Sequence, residues 1–117
     1  MLGSYAFRGD VTACTKGDEM PGIRVIVEMR ARPGQRDELR RSFESMLAQH
    51  APSLRGFLGS ARHEVFGDPD LLVEIAEWES AEARDTHMKE AAAAGTYAPL
   101  FAQLAAPPRV TVLRRLP

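Results

Sequence analysis

The stretch Leu71–His87, LLVEIAEWESAEARDTH, constrains this chain most. It carries a buried strand, a short break and a capped helix in direct succession. Leu71 to Trp78 is rich in apolar and β-branched residues and follows a turn signal, Gly67-Asp68-Pro69-Asp70. Side chains alternate along a strand, so Leu72, Glu74, Ala76 and Trp78 share one face and Leu71, Val73, Ile75 and Glu77 the other. Both faces hold large apolar groups, which predicts a central strand covered on both sides. Ser80 then predicts a helix start, because its hydroxyl can accept from the free N–H groups of the first turn. Glu79 and Glu82 suit the positive helix end. Ala83, His87 and Ala91 fall on one helical face, above Trp78.

The rest of the chain supplies cover for this unit. Ile23–Ala31 alternates cleanly, with Ile23, Val25, Val27 and Met29 on one face, and predicts the first strand. Pro33-Gly34 breaks it. A helix over 35–50 follows, with Leu39, Phe43, Met46, Leu47 and His50 in one stripe and the ion pairs Asp37–Arg41 and Arg40–Glu44 on the solvent face. Gly56–Phe66 is a second strand of weaker pattern, joined to the central strand through the Gly67–Asp70 turn. Gly95 suits the left-handed residue after the second helix. Tyr97, Leu100, Phe101 and Leu104 form a further short helix, and Arg109–Arg115 the last strand, with Val110 and Val112 on one face. The order β-α-β-β-α-(α)-β predicts a ferredoxin-like α+β sandwich, four antiparallel strands with both helices on one face. Its other face carries Ile26, Val73 and Ile75 with no helix left to cover it, so a homodimer is expected. Residues 1–21 form an N-terminal extension without long periodicity, where Tyr5, Phe7 and Val11 are candidate anchors; residues 22–117 form the domain.

Charge and composition narrow the function. A net charge of −1 with both signs interspersed, and no basic block, argues against nucleic acid. The single cysteine, Cys14, forms no internal disulfide. No apolar run reaches membrane-spanning length and residues 1–22 lack a signal-peptide core, so a cytoplasmic protein is expected, with no membrane partner. His50, His63 and His87 share no ligand spacing, so no metal is expected. No phosphate-binding glycine loop or nucleophile elbow is present.

The first strand running into Arg32-Pro33-Gly34-Gln35, the segment Gly56-Phe57-Leu58-Gly59, and Glu77-Trp78-Glu79-Ser80 followed by His87 resemble the antibiotic biosynthesis monooxygenase family of dimeric α+β barrels. The resemblance covers roughly residues 23–115. It implies a cofactor-free oxygenase that uses molecular oxygen on an electron-rich aromatic, a phenol, hydroquinone or anthrone of polyketide type. It also implies a pocket between sheet and helices, lined by the face bearing Val27, Met29, Glu74 and Trp78. Haem-degrading relatives use an Asn, absent from this chain, and have other residues at the places of His87 and Tyr97. Anthrone-oxidising relatives carry Asn and Tyr where this chain has Glu74 and Arg84.

Within that pocket Glu74, His87 and Trp78 are the candidate catalytic residues. Trp78 is either pocket wall or core, which are one surface here. The neutral imidazole of His87 can take a proton from a phenol near working pH, or can be a hydrogen-bonded core histidine. Glu74, mid-strand on the helix-covered face, either pairs with an arginine such as Arg62 or keeps a raised pKa and acts as base. Val27, Met29, Phe43, Met88, Tyr97 and Phe101 are expected as wall, together with whichever of Arg62 and His63 points inward. A proton-shuttling isomerase or cyclase in the same pocket, and a ligand-binding dimer without turnover, are the alternatives.

Overall fold

The computed structural model describes residues 22–117. The 1–21 extension lies outside them. Strands β1 (Ile23–Arg30), β2 (Phe57–Val65), β3 (Asp68–Trp78) and β4 (Arg109–Arg114) alternate with helices α1 (Arg36–His50), α2 (Ala81–Ala94) and α3 (Ala98–Phe101). All pairings are antiparallel, in the order β2-β3-β1-β4. This is the ferredoxin-like α+β arrangement expected from the element order, with β3 central.

Register fixes which side chains meet. Ile23 pairs with Trp78, Val25 with Ala76, Val27 with Glu74 and Met29 with Leu72, all on the helix-covered face. There the core divides. Met29, Ala31, Leu39, Phe43, Leu72 and Leu100 form one buried cluster; Ile23, Val25, Ala76 and Trp78 form another. Val27 packs partly against both. Glu74, the cross-strand partner of Val27, sits where the two clusters fail to merge.

Ser80 caps α2 as expected, its Oγ accepting from Ala83 N at 3.0 Å, and Gly95 ends it with φ 68°. The start of α2 lies unusually close to the loop before β2. A Cβ on Gly56 would stand 2.6 Å from that of Ala83, and Gly56 has φ 81°. Only glycine satisfies both conditions. The Glu79 N–H donates to the Gly56 carbonyl at 2.8 Å and closes the same junction.

Several boundaries differ from the sequence reading. The β2–β3 reversal falls at Phe66-Gly67, not Gly67–Asp70, and β3 begins at Asp68. Arg30 holds Asp68 through a two-pronged salt bridge (3.1 and 2.7 Å), and Asp70 accepts from Gly34 N (3.0 Å). These tertiary partners draw the polar turn residues into the strand. Pro69 is accommodated at a register irregularity, the usual place for a residue without an N–H. The last helix is shorter than expected, and Leu104 instead bridges Ala31. On α1, Arg40–Glu44 forms at 3.2 Å, but Arg41 pairs with Glu38 rather than Asp37. His50 lies exposed in the last turn of α1, off the core stripe.

Candidate functional site

The gap between the two clusters is a cavity of about 100 Å³. Its floor is Val25, Val27 and Met29 of β1 with Glu74, Ala76 and Trp78 of β3, and its roof includes Phe43 of α1, Arg84 and Met88 of α2, and Tyr97. Phe101 and Val110 line it while remaining 47% and 46% exposed, so the mouth lies between α3 and β4. A cavity near this size holds about one aromatic ring, and anything larger must extend through the mouth.

Glu74 is 8% exposed and is the only buried polar or charged residue among those described. Burial pushes its carboxyl above the ordinary value, opposed by a hydrogen bond from the Ser60 hydroxyl and by the more distant charges of Arg62 and Arg84. The expected partner is engaged elsewhere. Arg62 pairs with Glu74 in strand register, yet its Nε donates to Glu44 on α1 (3.2 Å) and its Nη1 to Ser60 Oγ (3.0 Å). Among the described residues no cation stands within ion-pair distance of Glu74.

His87 does not line this cavity. Its ring stacks on Trp78 at 5.4 Å and its Nε2 lies 2.6 Å from Tyr97 Oη. Tyr97 is what faces the cavity, and the imidazole stands behind it, bordering an outer cleft with His50, Arg55 and Glu90. Burial lowers the His87 pKa, with Glu90 acting against it and Arg84 and His50 adding to it. Burial and the Glu74 carboxylate raise that of Tyr97. Both shifts favour the neutral ring, and the two share one hydrogen bond.

The remaining expectations divide. Val27, Met29, Phe43, Trp78, Met88, Tyr97 and Phe101 line the cavity with Glu74. Arg62 and His63 do not. Arg62 is on the inward face but tied to Glu44, and His63 is on the open face, its Nδ1 3.4 Å from the Val73 carbonyl. Leu54, Phe57 and Arg84 are wall residues that the candidate set lacked. Arg84 shares a helical face with Met88, and that spacing was the available signal. Among the described residues no group of three or more His, Cys, Asp or Glu side chains converges to hold a metal, and no helix is long and apolar enough to cross a membrane.

A four-stranded antiparallel sheet with its helices on one face, and an apolar cavity between them around a buried carboxyl, defines a ferredoxin-like α+β domain with an internal cavity. The sequence model of the antibiotic biosynthesis monooxygenases matches residues 22–98, most of the chain, and the protein belongs to that family. Similar solved structures include a monooxygenase of Streptomyces coelicolor in complex with nanaomycin D (20% identity over 86% of this chain and 93% of that one, TM-score 0.72). A protein of Mycobacterium tuberculosis is 26% identical over 82% of this chain and 96% of its own, with a TM-score of 0.66. SnoaB, a cofactor-independent oxygenase of Streptomyces nogalater, is 15% identical over 79% and 90%, also at 0.66. Among curated proteins no sequence matches.

Proposed function

We propose that this protein is a cofactor-independent monooxygenase that oxidises an electron-rich phenol, hydroquinone or anthrone with molecular oxygen, in the cavity between sheet and helices. One observation carries the reading: a carboxyl buried in an apolar cavity, without an ion-pair partner among the described residues. Such a group costs free energy as a structural element and is suited to proton transfer. The family and the ligand held by the Streptomyces coelicolor relative support a small organic substrate.

The chemistry follows from spin. Triplet oxygen does not react directly with a closed-shell ring, but a phenolate can first give up one electron. Glu74 takes the phenol proton, the phenolate reduces oxygen, and the resulting radicals combine at a ring carbon. Glu74 returns its proton to the outer peroxide oxygen, the O–O bond breaks as the ring C–H bond gives its electrons to a new carbonyl, and the departing hydroxide takes the ring proton. A phenol and oxygen thus give a quinone and water, with every electron supplied by the ring. Trp78 bounds the ring and the apolar walls exclude water. Between the two candidate bases the geometry favours Glu74, since Tyr97 separates His87 from the cavity.

Oxygen uptake with a panel of hydroquinones, with product mass measured after reaction under isotopically labelled oxygen, tests the reading. Uptake with one labelled oxygen atom in the product, unchanged by chelator, is expected. A rearranged product without oxygen uptake would instead indicate an isomerase or cyclase.

A further inference from the structure

Arg84 is anomalous for a guanidinium on a surface helix. It lies one turn before Met88, and both line the apolar cavity. The outward face of the same helix carries the Lys89–Asp85 ion pair, at 3.1 Å. Arg84 is half-buried, and among the described residues it has neither an ion pair nor a side-chain hydrogen bond. The polar groups sharing the cavity with it are Glu74 from β3 and the Tyr97 hydroxyl, and the latter is already bonded to His87. The charge of Glu74 is felt only from beyond ion-pair distance, so a partly desolvated guanidinium gains from an anion that enters the cavity and pairs with it directly.

We propose that Arg84 binds an anionic oxygen on the aromatic ligand. This rests on the oxygenase reading and deepens it. When Glu74 takes the phenol proton, the charge moves from the carboxylate to the ligand oxygen, and Arg84 holds the anion that will donate the electron. The charge in the cavity is the same before and after the transfer, so no extra ion is buried. A ligand carboxylate has the same recognition chemistry, since a guanidinium offers a planar fork to either.

Binding of 4-nitrophenol and 4-nitrobenzoate tests this without turnover. Both carry a single ring, with substituents that can extend through the mouth, and nitrophenol changes colour on ionising, so its bound form is read directly. Wild type is expected to prefer at least one of these anions over its neutral counterpart, nitrophenol or 4-nitrobenzamide, by roughly 10–100-fold, the range for a hydrogen-bonded charge. Arg84→Met should erase that preference, and Arg84→Lys should retain part of it. Which anion is held identifies the ligand group. No preference in wild type, one that survives Arg84→Met, or failure of all three compounds to bind would overturn the proposal. Because none of the probes need be oxidised, Arg84 can be upheld even where oxygen uptake fails.

Discussion

Glu74 has two physical readings that differ in the sign of their effect on stability. Its pKa in the fold lies above the unfolded value of about 4.5, chiefly through burial. The stability it contributes is therefore fully present below that value and is lost as pH rises through the raised one. Glu74→Gln removes this loss. The variant should be as stable as wild type in acid and more stable at neutral pH, measured by urea unfolding at both. A carboxylate paired with an arginine would behave oppositely, and the substitution would cost roughly 1–3 kcal/mol at neutral pH. Arg62 is the residue that decides between them, and it is bonded to Glu44 and Ser60. His87 carries the reverse dependence. Its lowered pKa makes its contribution present above about 6.5 and lost as pH falls through the folded value.

One end of the cavity adjoins the junction of β2, β3 and α2, where Gly56 meets Ala83. Gly56→Ala forces a side chain into a left-handed conformation and a Cβ into a 2.6 Å contact with backbone-anchored Ala83. A loss of about 2–4 kcal/mol in urea unfolding is expected, only partly recovered by adding Ala83→Gly, which relieves the contact and not the φ. The strand Leu71–Trp78, the Ser80 cap and the α1 stripe were legible in the sequence because alternation and capping are local. The turn was not, because Asp68 and Asp70 are drawn out of it by Arg30 and Gly34, residues distant in sequence. In β2 the register shift between Phe57 and Gly59 breaks the alternation. Nothing in the sequence therefore decided between Arg62 and His63. Spacing puts Arg84 on the face of Met88, but only the tertiary packing shows that this face covers a cavity.

At the scale of the molecule, the sheet's outer face carries Ile26, Val73 and Ile75, and among the described residues no helix lies over it. We expect a second copy to cover it, giving a dimer by sedimentation at micromolar concentration. Ile75→Lys, at the centre of that face, should shift the equilibrium to monomer. The proposed reaction turns on a buried carboxyl acting as the base of an oxygen-consuming step. Its most direct test is the pH dependence of oxygen uptake in wild type, Glu74→Gln and His87→Gln. Wild type should show an acidic limb at a pKa above the ordinary carboxylate value, and His87→Gln should keep that limb. Glu74→Gln should lose roughly 10²–10⁴-fold in rate while remaining folded. A Glu74→Gln protein that consumes oxygen at the wild-type rate, with the same limb, would contradict it.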